Sequence, residues 1–520
     1  MKLRLVRGRT ALEIEARPGE VLSRAIWLSG RVEPTPLCTG LGRCGRCRVR
    51  FTDEAPQPLP VEKDMLSAGA LAAGWRLACR RQVSDENMPA LELPPSAPDC
   101  VPDGQGQPGD KTAKGTPLLL AVDLGTTSVQ WRALAACGPD RGMKTAEGGF
   151  LNPQAGAGAD VVSRLALAAG VQGRTLLSNL VRASLSELVA RLGRTGPVKR
   201  LCLAANTAMT DIFLNRDISG LAAAPYHTGH AGHETALLPG LPPVYIPPLP
   251  APFVGGDASA ALLAMLKAAT QRPFILADLG TNAEIILVTG QGNVFMTSVP
   301  LGPALEGIGM ECGCLAGPQA ATGFLLTPSG LSVRKPEGGA LRGVSATGYI
   351  SLLAQLRRCG VLDENGHFVK DSAMPLAQKI AATLERERGR LRLPLPGGLW
   401  LSARDVEEVL KVKAAFSLAL EKLLEAGGLP GRELARICLA GALGEHVVHE
   451  DLLSLGFVPR GPRVLTVGNA ALDGAALLAL EPQKGPALAG ICRKATQVQL
   501  AQDAVFQRQY LKSMIFPECG

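Results

Sequence analysis

Val122-Asp123-Leu124-Gly125-Thr126-Thr127 and Ala277-Asp278-Leu279-Gly280-Thr281-Asn282 are one phrase written twice, 155 residues apart. Each copy follows an apolar run (Leu118–Val122, Ile275–Ala277) and precedes another (Val129–Leu134, Ile285–Val288). Each therefore reads as a β-hairpin whose turn carries Gly with hydroxyl or amide side chains. Such turns turn backbone N–H groups toward phosphate oxygens. An Asp at the strand end can hold Mg²⁺ through water. A single copy is usually an ordinary turn; two copies in equivalent settings point to paired phosphate loops.

Working outward, strand-like and helix-like runs alternate from Thr116 to about Pro482, which predicts α/β layers. The clearest helix opens at Ser402, with Asp405 in its first turn and Val406, Val409, Leu410, Phe416, Leu420, Leu423 and Leu424 on its apolar face. The paired loops resemble those of the acetate and sugar kinase, heat-shock chaperone and actin superfamily, whose fold sets two RNase-H-like lobes around an ATP cleft. Companions of that motif stand in order. Gly255-Gly256-Asp257 opens a helix-like run before the second loop. Ala440-Gly441-Ala442-Leu443-Gly444 follows a strand and looks like the adenosine motif. Gly468-Asn469-Ala470 leads into a second connecting helix. Phosphoryl chemistry needs charge neutralisation and alignment. Asp123 and Asp278 are the expected Mg²⁺ carboxylates, and Asp257 orients or deprotonates water. Thr126, Thr127, Thr281 and Asn282, with Gly125 and Gly280, grip phosphates. Gly441 and Gly444 let adenosine lie against the backbone, and Gly302, Glu306 and Gly307 form a Gly–acid turn facing the nucleotide.

The N-terminal 93 residues read differently. Leu3–Val6 and Leu12–Ile14 are strand candidates, Val21–Leu28 is helix-like, Val49–Phe51 is a strand, and a helix is expected from about Pro60 to Ala72. This pattern predicts an α+β, β-grasp-like unit. Cys38, Cys44 and Cys47 follow C-x5-C-x2-C, and Cys79 comes later. Three thiolates on one Gly-rich loop and a fourth from elsewhere can wrap two irons, with glycines letting backbone N–H groups approach the sulfides. A zinc site or inert buried cysteines are the alternatives, although zinc prefers two C-x2-C hooks and only one is present. The Gly-rich filling and Leu77-Ala78-Cys79 resemble the adrenal- and plant-type ferredoxins, which implies a [2Fe–2S] cluster on these four cysteines. Arg43, Arg46, Arg48, Arg50, Arg76, Arg80 and Arg81 cluster nearby, as a solvated basic face or a dock for an acidic partner.

Composition bounds the rest. The chain has 520 residues, 46% hydrophobic and 19% charged, so it is neither disordered nor fibrous. Aromatics at 4% argue against an aromatic-platform nucleic-acid binder, and a net charge of +8 is too small for this length to imply a polyanion partner, so no nucleic acid is expected. The uncharged stretches 235–256 and 285–305 are broken by Pro, Gly, Gln and Asn, so no membrane span is expected. With 13 Cys and no signal-peptide pattern, a reducing cytoplasm is the expected location. Residues 94–115 read as a Pro/Gly linker spanning about 26 Å on average if flexible. The expected plan is 1–93 ferredoxin-like, 94–115 linker, 116–482 ATPase with lobes near 116–270 and 271–482, and a 483–520 surface tail. His227, His230 and His233 read as a loop rather than a metal site, and Cys312 and Cys314 as a packed loop.

A ferredoxin-like unit joined to this ATPase fold resembles the reductive activators of corrinoid proteins. Asn152-Pro153-Gln154, Gly158-Ala159-Asp160-Val161-Val162-Ser163-Arg164 and Gly302-Pro303-Ala304-Leu305-Glu306-Gly307 carry that resemblance. It implies an ATP-hydrolysing enzyme that moves an electron from a [2Fe–2S] cluster, filled by a reduced donor, to Co(II) of a methyltransferase system's corrinoid protein, restoring Co(I). Plant-type clusters sit near about −400 mV, so coupling to ATP is the physical need. Relatives carry an extra dimerisation-associated domain after the linker that is not evident here, which leaves a homodimer open. A small-molecule kinase with a regulatory iron–sulfur domain and a nucleotide-binding redox sensor are the rival readings. The intact acids Asp123, Asp257 and Asp278 count against the sensor.

Overall fold

The computed structural model describes the chain apart from residues 85–87, 96–114, 303, 305–306, 308, 336–339, 373, 388–389, 501–503 and 519–520. Most of the expected linker, and Glu306, therefore lie outside the described residues.

Near the N-terminus, β1 (Lys2–Arg7) and β2 (Thr10–Glu15) form a hairpin. With β3 (Arg48–Phe51), β4 (Trp75–Leu77) and β5 (Leu91–Glu92) they build one sheet in the order β2-β1-β5-β3-β4. Leu3, Leu5 and Ile14 point inward and pack on Leu22 and Ile26 of helix Leu22–Trp27. This is the ferredoxin-like β-grasp. The expected helix from Pro60 to Ala72 is two helices, Pro60–Met65 and Ala68–Ala72. The break comes at Leu66, which is extended and buried, and Ser67, whose hydroxyl caps the second helix through Ala70 N–H at 3.2 Å.

Two further sheets repeat one topology. In the first, β6 (Leu118–Leu124), β7 (Ser128–Ala135) and β8 (Lys144–Leu151) form an antiparallel meander. Strand β9 (Val198–Ala204) lies parallel to β6; β10 (Glu234–Ala236) is antiparallel to β11 (Val244–Ile246), which is parallel to β9. In the second, β12 (Phe274–Leu279), β13 (Asn282–Val288) and β14 (Val294–Pro300) form the meander. Arg436–Ala440 lies parallel to β12, and Arg463–Thr466 parallel to that strand. A shared meander-plus-parallel order means that Asp123 and Asp278 occupy equivalent strand ends. Between the sheets, helices Gly256–Lys267 and Ala470–Leu480 cross closely through Ala260, Leu472, Ala475 and Ala476. A Cβ at Gly474 would lie 1.8 Å from the Ala260 carbonyl, so only glycine permits that approach.

The chain beyond 482 is not a surface strap. Helix Gly485–Lys494 is followed by Thr496–Gln497, which joins β14 in parallel, and by helix Ala504–Lys512. Phe516 is 1% exposed in the core of the second lobe. Lys413 Nζ holds the Ser513 and Ile515 carbonyls at 3.1 and 2.8 Å. The expected boundary at 482 is thus corrected: a charged sequence pattern hid one buried aromatic anchor. The ferredoxin-like unit is docked on the first lobe, with Leu28 buried among Ala157, Val161, Leu165, Leu177 and Ile212. Among the described residues, no helix is long and apolar enough to cross a membrane.

Candidate functional site: an acidic cleft and a four-thiol loop

The paired motifs close as hairpins. Gly280 N–H donates to the Asn282 carbonyl at 3.0 Å, and a Cβ at Gly125 would lie 2.9 Å from the Ser128 carbonyl. Asp123 and Asp278 are the next-to-last residues of β6 and β12. Asp257 sits in the first turn of helix Gly256–Lys267, where its Oδ1 accepts from Ala258 N–H at 2.7 Å. The Thr127 hydroxyl is buried with no hydrogen-bond partner, and Thr281 is buried. Leu301 and Gly302 N–H both donate to the Thr281 carbonyl, at 3.0 and 3.1 Å, so that loop rests on the second hairpin. Gly441 has φ +79°, and a Cβ there would lie 2.5 Å from Asp278 Oδ1. Glu306 cannot be placed among the described residues.

The electrostatics converge. Burial pushes Asp123 up to about 6, against an opposing hydrogen bond from Asn469. Burial, with repulsion from Asp123 and Asp278, pushes Asp257 up to about 7. Burial and Asp123 do the same for Asp278, also to about 7. Glu284 is raised well above the ordinary range by burial, Asp257 and Asp278. Among the described residues none of these four carboxyls forms an ion pair, a costly arrangement unless a cation shares the space.

Glu284 was missed by the sequence reasoning, yet its signal was there. Three residues, Gly280-Thr281-Asn282, separate the paired Leu279 and Ala283, which sets Asp278 opposite Glu284 across the hairpin. The equivalent position in the first hairpin is Gln130, opposite Asp123. The bracing of the first loop was also missed. Asn152 Nδ2 donates to the Gly125 carbonyl at 2.7 Å, and buried Arg164 donates to the Thr126 carbonyl.

The four N-terminal cysteines come together as two pairs. Cys38 and Cys44 are within hydrogen-bonding reach of each other, as are Cys47 and Cys79. The Cys44 thiol and backbone N–H groups of Gly42, Arg43 and Cys44 donate to Cys38, drawing it down to about 5. Gly40, Gly42 and Gly45 adopt φ of +84°, +71° and +63°, which lets the loop fold around the sulfurs. A four-thiol donor set on a Gly-rich loop is of the kind that holds an iron–sulfur centre. Glu62, fully buried, accepts from Leu77 N–H at 2.9 Å and Leu59 N–H at 2.8 Å and pairs with Arg81, fixing the arm that carries Cys79.

The arginines around this loop are largely engaged within the chain. Arg46 donates to the Gly307 carbonyl at 3.0 Å and Arg80 to the Gly40 carbonyl at 3.0 Å. Arg50 pairs with Glu92, and Arg48 lies over Trp75. Arg76 is buried, whereas Arg43, Arg48 and Arg80 stay exposed and leave a solvated basic face beside the loop. His227 lies 3.3 Å from the Pro225 carbonyl, His230 bonds Asp211 and Glu234, and His233 bonds Tyr245, so the three histidines face separate partners. Cys312 and Cys314 flank a backbone bridge to Val344, as a packed loop.

A ferredoxin-like β-grasp docked on a duplicated, carboxylate-lined actin-type core defines the class: an iron–sulfur-type domain joined to an ASKHA ATPase fold. Family models agree. Residues 118–267 match the RACo middle region, and residues 272–520 match the C-terminal domain of RACo, the ASKHA domain. The chain belongs to the RACo family. The corrinoid activation enzyme RamQ of Eubacterium limosum is 27% identical over 423 residues, covering 76% of this chain and 70% of that protein. The [Co(II) methylated amine-specific corrinoid protein] reductase of Methanosarcina barkeri is 26% identical over 293 residues, 52% of this chain and half of that protein. The solved structure of a reductive activator for corrinoid,iron-sulfur protein superposes with a TM-score of 0.66 at 21% identity, over 99% of this chain and 98% of that one. The stretch read as a first ATPase lobe is the one that matches the family's middle region.

Proposed function

We propose that this chain is an ATP-dependent reductive activator of a corrinoid protein, passing one electron to Co(II) to give the methyl-accepting Co(I). The observation that carries this reading is the union, in one chain, of a paired four-thiol loop and an acidic duplicated cleft. Cys38 with Cys44, and Cys47 with Cys79, would hold a [2Fe–2S] cluster, which supplies a one-electron carrier when bound. Asp123 and Asp278 would hold Mg²⁺ through water, with Glu284 adding charge from the facing strand. Thr126, Thr127, Thr281 and Asn282 would bind the phosphates of ATP, and Gly441 and Gly444 would admit its adenosine. Asp257 would orient the attacking water and take its proton. An ATP-linked change in the cleft can alter the docked arrangement of the two halves, which is how nucleotide energy would reach an unfavourable electron transfer. The reading takes the protein to act on a corrinoid partner, to draw electrons from a separate reduced donor, and to work in the cytoplasm.

The test mixes reduced, anaerobic protein with a Co(II) corrinoid protein, with and without Mg-ATP. An ATP-dependent Co(I) absorption band is expected. Phosphate transfer to a metabolite with no cobalt reduction would sink the reading in favour of a kinase.

A further inference from the structure

The thiol loop is tied to the first lobe on both sides of Cys38. Leu37 exchanges backbone bonds with the lobe: its carbonyl accepts from Ala159 N–H at 2.9 Å, and its N–H donates to the Ala155 carbonyl at 3.4 Å. Thr39 Oγ1 donates to Ser163 Oγ at 2.6 Å. Ser163 is fixed in turn by Asp160, which accepts from its N–H at 2.7 Å and its hydroxyl at 2.8 Å while capping helix Val161–Ala168. Two glycines allow the contact. A Cβ at Gly156 would lie 2.8 Å from the Trp27 carbonyl, and one at Gly158 would lie 3.0 Å from Thr39 Oγ1.

The same segment grips the first phosphate loop at its other end. Asn152 binds the Gly125 carbonyl through Nδ2 at 2.7 Å and the Thr127 carbonyl through its N–H at 2.8 Å. Arg164, the neighbour of Ser163, is fully buried and spans the Gly158 carbonyl at 3.1 Å and the Thr126 carbonyl. Adjacent residues of one helical turn thus touch opposite ends: Ser163 holds Thr39 beside a thiol, and Arg164 holds Thr126 beside the nucleotide site. The potential of an iron–sulfur centre responds to hydrogen bonds near its sulfurs.

We propose that residues 152–164 couple the first phosphate loop to the thiol loop, with Ser163 and Thr39 as positioning residues through which nucleotide occupancy shifts the potential of the cluster. This inference rests on the proposed function, because it needs both a cluster and a nucleotide. Coupling is reciprocal: the oxidation state of the cluster changes nucleotide affinity by the same factor.

The test uses the full-length, iron-loaded protein under anaerobic conditions. The midpoint potential and the electron paramagnetic resonance spectrum of the reduced protein are recorded with and without Mg²⁺ and a non-hydrolysable ATP analogue, with analogue binding checked by equilibrium dialysis. Wild type should shift by about fivefold or more in the redox equilibrium constant, the lower end of ordinary coupling. At 59 mV per decade for one electron that is about 40 mV. Thr39→Ala and Ser163→Ala should each bind the analogue and lose most of the shift, whereas Thr39→Ser should keep it. An undiminished shift in both alanine variants overturns the inference, as does wild type that binds the analogue with no shift. Wild type that binds no analogue or carries no iron overturns the proposed function as well, and is distinguishable from the other failures.

Discussion

Asn469 donates from Nδ2 to Asp123 Oδ2 at 2.8 Å, while its own Oδ1 accepts from Leu472 N–H at 2.8 Å. One amide therefore caps helix Ala470–Leu480 and holds the carboxylate at the end of β6. The pairing explains why an asparagine, rather than an aspartate, opens this helix: a second carboxylate there would repel Asp123.

Asn469→Ala should cost about 1–2 kcal/mol, a lost cap together with a lost buried bond. Asn469→Asp should keep the cap but raise Asp123 further. Thermal unfolding should therefore show a large loss for alanine and a smaller one for aspartate. Mg-nucleotide binding should weaken in both.

The cleft acids set a pH dependence whose sign is fixed. Asp257 and Asp278 are raised by burial to about 7, and Asp123 to about 6, against about 3.9 in an unfolded chain. The folded protein then binds more protons than the unfolded one between about pH 4 and 7, so its metal-free stability falls as pH rises through that window. Mg²⁺ with nucleotide should reverse the loss above pH 7. Asp278→Asn should flatten the metal-free profile, measured as melting temperature from pH 5 to 8. A melting temperature that climbs with pH in metal-free wild type would show that these acids are not clustered.

Phe516→Ala should destabilise the protein by about 3–5 kcal/mol, since the ring is fully buried and lies under the Arg357 guanidinium, 5.7 Å from its centroid. Leu511→Ala, only a few residues away but 69% exposed, should stay within about 0.5 kcal/mol. Denaturant titration of both variants separates a tail built into the core from one lying on the surface.

Under the proposed [2Fe–2S] ligation, serine at any one of Cys38, Cys44, Cys47 or Cys79 should lower bound iron and sulfide and bleach the visible spectrum. Cys137→Ser, at an exposed thiol, should change neither. Metal analysis and absorption after anaerobic reconstitution give the comparison. Retention of a full complement by Cys44→Ser would remove that residue from the ligand set.

Local chemistry was legible wherever it depends on short-range spacing. The two D-L-G-T turns, the Ser402–Asp405 cap and the apolar face of helix Ala403–Ala426 all appear in the structure as the residues predict. Their geometry is set within a few residues by turn and cap chemistry, so no distant part of the chain is needed. The split at Leu66-Ser67 was less legible, because a run of good helix formers is interrupted by one side chain drawn into the core.

The sequence by itself determined the duplicated turns, the thiol spacing and therefore the two kinds of chemistry the chain can carry. Only the tertiary structure decided which groups share a space. Burial between two sheets makes four ordinary acids, Glu284 among them, into one coupled group. A cross-lobe amide fixes Asp123, and a buried Phe516 draws the tail into the second lobe. Packing of Leu28 and Thr39 on the segment 155–163 brings the thiol loop within one helical turn of Arg164 and the first hairpin loop it holds. Spacing along the chain encodes turns, caps and ligand sets; desolvation and contact between segments more than a hundred residues apart arise only once the chain has folded.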